Sequence, residues 1–377
     1  EKSLPIPLSQ SRESKTMISA LYLHIPFCRK ICSYCDFPKV LHLQKWEDEY
    51  IPLLVKEIYS YHIPIDSLET IYIGGGTPSL LSKKNLEILL GFLHHSFPST
   101  KEFTREANPE SLTIEKIRIR KQNGVNRISL GVESTSSSLL AFLGREHKVN
   151  EVENVLKELT EEGIKNINLD FIYGIPGESM GQLRNDIDFA VSQNIQHVSF
   201  YSLQLEPGTR LTARKTQPVS DELYREQYDF LCEELSRHGF FRYEISNFAK
   251  KGYQSLHNLT YWHDRQYYAC GVGAAGYIGN RRYLNTKSLT DYFKGIRIVK
   301  KDRISPEDRE REYLRLHLRL VEGFPLEEYK IIFQRDFLSS FSTKIAENKE
   351  YFEVKNGFFR IKPEYLYVRD TLLLSLF

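Results

Sequence analysis

Leu21-Tyr22-Leu23-His24-Ile25-Pro26-Phe27-Cys28-Arg29-Lys30-Ile31-Cys32-Ser33-Tyr34-Cys35-Asp36-Phe37 carries an apolar, strand-like run into three cysteines spaced Cys-x3-Cys-x2-Cys. Three thiols within eight residues leave one over if two pair, so they suit a metal centre better than disulfides. Three is also an incomplete set, because a 4Fe–4S cluster has four irons and a structural zinc normally has four ligands. An iron without a thiolate is an open position for a small molecule. Zinc, with His24 or Asp36 as fourth ligand, is the competing reading. It lacks the two well-spaced ligand pairs of a common zinc module, and the strand before the loop fits a cluster.

Working outward from the loop, strand and helix patterns alternate. Strands are expected at 21–27, 70–73, 102–107, 127–132, 166–173 and 197–205, and helices at 44–61, through Leu86–Leu93, and at 113–122, 136–142, 151–162 and 180–193. Such alternation predicts an α/β protein with a parallel sheet covered by helices, enough strands for a partial (β/α)6 TIM-like barrel. Chemistry in that architecture gathers at the carboxyl ends of the strands. The unusual residues fall there: the cysteines, Gly74-Gly75-Gly76-Thr77-Pro78-Ser79, Glu106-Ala107-Asn108-Pro109, Gly131-Val132-Glu133 and Tyr173-Gly174-Ile175-Pro176-Gly177. Consecutive glycine amides can hold a carboxylate or phosphate. Glu106, Arg145 and Asp170 are isolated charges, but Asp170 lies in an apolar run and needs a partner such as Arg145 or a ligand hydroxyl.

The organisation expected is a loose arm over 1–18, the barrel core over 19–210, an extension over 211–300 and a smaller α+β, largely helical domain over 301–377, with a winged-helix-like character. In the extension, helix is expected at 221–238, a strand at 243–248 and a small-residue turn or strand at 271–279. Ser305 and Pro306 predict a helix start, and Asn356-Gly357 a hairpin turn. His257-Asn258-Leu259-Thr260-Tyr261-Trp262-His263 offers histidine, tyrosine and tryptophan together, a set able to ligate haem iron and stack on a porphyrin. Packing over the barrel mouth is the plainer reading of those residues alone.

The 377 residues carry 51 Lys+Arg against 49 Asp+Glu, a formal charge of +2. That balance gives no electrostatic case for nucleic acid or an acidic membrane surface. No apolar run approaches the ~18 residues of a membrane span. The first sixteen residues show no hydrophobic leader core. Cys232 and Cys270, far apart in sequence, are expected to be reduced thiols in a cytoplasmic protein.

The cysteine spacing with Gly74–Pro78 resembles the radical S-adenosylmethionine superfamily. The strings Tyr22–Cys28, Asp170–Gly177 and Glu206-Pro207-Gly208-Thr209 resemble its branch of coproporphyrinogen III oxidases and haem chaperones, over nearly the whole chain from Leu21. The oxidases have a fourth cysteine where Phe37 stands and a longer stretch before the cluster, so the chaperone side is expected. The His257–Trp262 string resembles that side's HNxxYW haem-associated motif. The resemblance implies a 4Fe–4S cluster on Cys28, Cys32 and Cys35, with S-adenosyl-L-methionine on the fourth iron. It further implies a pocket for that cofactor at Tyr22, Tyr34, Gly75, Gly76, Thr77, Glu106, Glu133, Arg145 and Asp170. Glu133 departs from the oxidases' glutamine. Haem as cargo is expected at His257, Tyr261 and Trp262, for delivery to apo-haemoproteins of the respiratory kind. A transient membrane association and a homodimer are further expectations. The alternative is a radical enzyme acting on a tetrapyrrole; a tRNA-modifying enzyme is disfavoured because no basic module is appended.

Overall fold

The computed structural model describes residues 18–377, so the arm expected over 1–18 lies, but for its last residue, outside the described residues. Six parallel strands form the core in sequential order: β1 (Ala20–Ile25), β2 (Thr70–Gly75), β3 (Glu102–Ala107), β4 (Arg127–Glu133), β5 (Asn166–Tyr173) and β6 (His197–Ser202). Between them run α1 (Gln44–Ser60), α2 (Lys83–Ser96), α3 (Ile114–Gln122), α4 (Ser137–Leu143), α5 (Val149–Glu161) and α6 (Met180–Ser192). Apolar residues at helical spacing make the inner faces: Leu86, Leu89, Leu90 and Leu93 on α2, and Val152, Val155, Leu156 and Leu159 on α5, are all buried. The α/β partial-barrel architecture is the one the alternation predicts.

Three local features depart from the sequence pattern. First, β1 ends at Ile25, because Pro26 has no N–H for the ladder. Phe27–Cys28 instead pairs in parallel with Val40–Leu41, which closes the cysteine segment into a loop. Second, the sheet grows past six strands. After α7 (Asp221–Arg237), β7 (Phe241–Arg242) and β8 (Asn247–Ala249) add antiparallel beyond β6, and β9 (Tyr268–Cys270) adds in parallel beside β1. The single strand expected at 243–248 is therefore split. Buried Glu244 turns the chain there by accepting the Ser246 N–H at 3.0 Å and the Asn247 side-chain amide. Third, β10 (Ala275–Ile278), β11 (Arg281–Asn285) and β12 (Ile298–Arg303) form a separate antiparallel sheet, so residue 300 lies inside a strand.

Between β8 and β9 lies α8 (Leu256–Trp262). Beyond β12, α9 (Pro306–His317) starts as expected, with Ser305 Oγ accepting the Asp308 N–H at 3.1 Å. A second apolar cluster follows, built on Tyr313, Phe324, Tyr329, Phe337 and Phe359. It packs on a small sheet of β13 (Phe324–Pro325), β14 (Phe352–Lys355) and β15 (Phe358–Ile361). Asn356 (φ 53°) and Gly357 (φ 82°) turn the last hairpin as their dipeptide predicts.

Candidate cluster and nucleotide site

Backbone bonds hold the cysteine loop from several sides. His42 N–H donates to Cys28 C=O at 2.9 Å, Val40 N–H to Pro26 C=O at 2.8 Å, and Ser33 N–H to Leu143 C=O at 2.8 Å. Lys39 Nζ donates to the carbonyls of Cys35 (2.7 Å) and Phe37 (3.1 Å). A link from the barrel interior also reaches the loop: His24 Nε2 donates to the Pro38 carbonyl at 2.7 Å, and Nδ1 accepts from Tyr22 OH at 3.0 Å. A carbonyl only accepts, which fixes this tautomer. Burial lowers the His24 pKa to about 4, so the ring is neutral.

The glycines lie beneath the loop because nothing larger fits. A Cβ on Gly76 would stand 2.8 Å from both Cys28 Sγ and the Phe27 carbonyl oxygen. Gly75 has φ +124°, and a Cβ there would meet the Ile25 carbonyl oxygen at 2.8 Å. This close approach puts the amides at the end of β2 directly against the thiol-bearing chain.

The thiols of Cys28, Cys32 and Cys35, with Tyr34, line a cavity of ≈ 780 Å³ that Gly75, Gly76, Thr77, Glu106, Glu133, Arg145 and Asp170 line as well. All three thiols are free. Burial pushes Cys28 up to about 11 despite a hydrogen bond with Thr77, and burial also raises Cys35. Such thiols ionise when a metal replaces their protons. Among the described residues, no group of three His, Cys, Asp or Glu side chains converges to hold a single metal ion. Zinc needs its donors around one point, whereas the irons of a 4Fe–4S cluster take one thiolate each at separate corners. Three free thiols that line one cavity without converging on a point fit the cluster better than zinc.

The carboxyl groups of Glu106, Glu133 and Asp170 share this cavity with the thiols. Glu106 accepts from Tyr72 OH at 2.9 Å and Gly75 N–H at 3.0 Å; burial, with Asp170 nearby, pushes it up to about 7. Asp170 is raised by burial and accepts from Ser129 Oγ at 2.7 Å and Asn168 Nδ2 at 2.9 Å. Its partners are thus hydroxyl and amide, not the Arg145 suggested by the sequence. Arg145 instead lies 3.8 Å from Glu133 and 3.9 Å from Glu110, and donates to the Gly131 carbonyl at 3.0 Å. Burial opposes its charge, but Glu133, Tyr34 and Glu110 outweigh that and hold it above its ordinary value. Glu133 sits at φ 64°, after a register shift in β4 (Gly131/Glu133), and burial raises it to about 7 against the pull of Arg145. A non-glycine residue in the left-handed region is strained, and here the strain turns the carboxylate toward the cavity. A ligand carrying a sulfonium and an ammonium group meets complementary charge in this set.

Tyr22 is placed differently. It lines a second, smaller cavity of ≈ 220 Å³ with His257 and Tyr261, which shares Tyr72, Gly75, Glu106 and Phe37 with the first. His257 is completely buried: Nδ1 is 2.9 Å from Thr70 Oγ1, Nε2 is 2.7 Å from Tyr261 OH, and the ring stacks on Tyr72. Burial drops its pKa to about 3. Both nitrogens are engaged, so iron ligation by His257 requires one hydrogen bond to break. Trp262 lines neither cavity; Arg319 lies 4.4 Å over its ring. Nor does α8 open at the barrel mouth. Glu102, first residue of β3, accepts the N–H groups of Leu256 (2.9 Å) and His257 (3.0 Å), which seats the start of α8 at the amino end of the strands.

Sequence reasoning passed over Tyr72, Thr70 and Glu102. Tyr72 pairs in register with Tyr22, and Thr70 with Glu102, so these residues become neighbours only once the sheet is assembled.

The family model of the radical SAM superfamily matches residues 22–190, from β1 through most of α6. The chain is 36% identical over 338 residues to "Heme chaperone HemW" of Lactococcus lactis, covering 87% of this chain and 89% of that one. It is 38% identical over 320 residues to the protein of the same name from Bacillus subtilis, covering 81% and 84%. The solved structure of coproporphyrinogen III oxidase (HemN) from Escherichia coli superposes with a TM-score of 0.84 at 19% identity, over 96% of this chain and 91% of that one, and so shares its fold. Identity of that extent, on a barrel whose cysteine loop meets the superfamily pattern, places the chain in the HemW family of haem chaperones within the radical SAM superfamily.

Proposed function

We propose that this protein is a haem chaperone that holds a 4Fe–4S cluster on Cys28, Cys32 and Cys35, binds S-adenosylmethionine beside it, and passes haem to apo-haemoproteins. The observation that carries the cofactor part is the single cavity lined by both the three thiols and the carboxyl groups of Glu106, Glu133 and Asp170. The haem part rests on the relatives' names and on the motif at His257–Trp262. Respiratory recipients, transient membrane contact and a homodimer belong to the same proposal, as does action in the cytoplasm. No helix among the described residues is long and apolar enough to cross a membrane.

A bound cluster would supply one electron to the sulfonium of S-adenosylmethionine. The chain's own residues bind and orient. Glu106 and Asp170 offer acceptors from β3 and β5, Glu133 offers a carboxyl group from the end of β4, and Arg145 favours its ionised form against the opposing effect of burial. Tyr34 and Gly75–Thr77 confine the ligand between loop and sheet.

Glu106 sets a pH dependence. Its folded pKa of about 7 lies above the ordinary 4.5, so the carboxyl is neutral below pH 7 and anionic above it. Unliganded stability from this group is fully present below pH 4.5 and falls as pH rises toward 7, because the unfolded chain ionises first. A cationic ligand reverses the preference. Binding of S-adenosylmethionine, measured by calorimetry on cluster-loaded protein, is therefore expected to tighten from pH 6 to pH 8. Glu106→Gln should flatten that profile and weaken binding at pH 8 by roughly tenfold, the effect of one lost charge-assisted contact. An unchanged profile in the variant would remove Glu106 from the site.

Haem titration tests the cargo. The wild-type Soret band is expected to shift on binding, and His257→Ala to weaken that binding. Tyr261→Phe, which frees the His257 Nε2, should strengthen it. Equal affinity in all three proteins would eliminate His257 as the ligand.

A further inference from the structure

The cavity at His257 holds ≈ 220 Å³, short of the roughly 300–1,000 Å³ of small-molecule sites, so it does not enclose a porphyrin. The larger cavity presents Glu106, Glu133 and Asp170, which repel a ligand bearing two carboxylates. A third concavity, of ≈ 550 Å³, opens at the opposite end of the barrel, where β3, β4 and β5 begin. Exposed Lys101, Lys121 and Lys165 border it. Tyr253 and Leu256 line it as well, both exposed hydrophobic side chains. Leu256 opens α8 and is followed in the chain by His257, which is fully buried and lines the smaller cavity instead.

The charge of the groove is cationic. Its one acidic lining residue, Glu102, is engaged by the α8 amides, and Lys101 pairs with Glu69 at 2.6 Å. Among the described residues, neither Lys121 nor Lys165 has a carboxylate within 4.0 Å. We propose that this groove is where haem docks, its propionates on Lys121 and Lys165 and its macrocycle against Tyr253 and Leu256. The proposal rests on the haem-chaperone reading and assigns the cargo a place remote from the cluster, beside the helix that carries His257. Cationic side chains at the rim and apolar contact at the face are complementary to a flat, dianionic ring.

The test is a Soret titration of the full chain with haemin and with haemin dimethyl ester, whose carboxylates are blocked. The Lys121→Glu/Lys165→Glu variant is expected to bind haemin roughly tenfold more weakly, as two partly exposed ion pairs would dictate. Its saturated Soret maximum should match the wild type, because the two lysines are assigned to the propionates and not to the iron. The ester should bind the wild type weakly and be indifferent to the variant, and Lys121→Arg/Lys165→Arg should restore haemin affinity. Equal haemin affinity in the wild type and the glutamate variant would overturn the groove, as would an ester that binds as tightly as haemin. If His257→Ala alters the spectrum while the lysine variants change nothing, haem binding stands and its docking here falls. If the wild type gives no Soret shift, the haem reading itself fails and the groove assignment with it. The lysines are exposed, so thermal melts are expected to coincide and separate lost binding from lost folding.

Discussion

Replacing Cys28, Cys32 and Cys35 together by alanine is expected to abolish iron–sulfur loading. Anaerobic reconstitution should give about four irons and four sulfides per wild-type chain and almost none in the variant. The effect is all-or-none because the thiols are the soft donors lining the cavity, while Glu106 and Asp170 are engaged by donors of the protein itself. The fold should survive. The loop is held by backbone hydrogen bonds from Ser33, Val40 and His42 and by Lys39, and alanine leaves these in place. S-adenosylmethionine binding should fall in parallel with iron, since its amino acid moiety chelates the open iron in this scheme. Zinc at stoichiometric level in the reconstituted wild type would end the cluster assignment, and so would iron retained by the variant.

Gly76→Val is the second substitution expected to act strongly, and it removes no ligand. The first carbon of the new side chain would lie 2.8 Å from the Cys28 sulfur and from the Phe27 carbonyl oxygen, and 3.0 Å from the Pro26 carbonyl carbon. Two of these three atoms are backbone, so a rotamer change cannot relieve the overlap. Either the cysteine loop lifts or the end of β2 shifts. Overpacking of this kind costs about 1–3 kcal/mol. A loop lifted by even part of an ångström no longer presents three thiols to one cluster. Cluster content after reconstitution should drop severalfold while the secondary structure by circular dichroism stays close to wild type. Gly91→Ala is the control: a Cβ there meets nothing nearer than Asn123 Oδ1 at 3.7 Å, and helix propensity favours alanine. Full cluster loading in Gly76→Val would show that the close approach of β2 and the loop is not required.

The two substitutions separate what a ligand donates from what a backbone permits. The glycine run of Gly74–Gly76 does both kinds of work in the structure: Gly75 supplies an N–H to Glu106, and Gly76, whose own N–H bonds the Ile25 carbonyl at 2.8 Å, supplies room for the cysteine loop by having no side chain.

Much of the architecture was legible in the chain. Alternating apolar strands and amphipathic helices determine six βα units, since each pattern is local and repeats over many residues. The cysteine spacing points to a metal loop, and its position after an apolar strand puts it at the end of the barrel where chemistry gathers. Ser305-Pro306 and Asn356-Gly357 determined a helix start and a hairpin turn by short-range chemistry alone. What the sequence left open depends on register and on contacts between distant segments. Tyr268–Cys270 is three residues long, too short to show a period, and becomes a strand only because β1 offers an unpaired edge. Asp170 needed a partner by its apolar setting; Asn168 stands two residues before it on the same strand, but Ser129 was identified only when β4 and β5 paired. His257 stood in a recognisable motif. That both its nitrogens are engaged, by Thr70 one way and Tyr261 the other, follows from α8 seating on the amino end of the barrel through Glu102. A sequence states which groups can bond; the assembled sheet decides which of them meet, because hydrogen bonds and ion pairs act over a few ångströms while the residues that form them lie up to 237 positions apart.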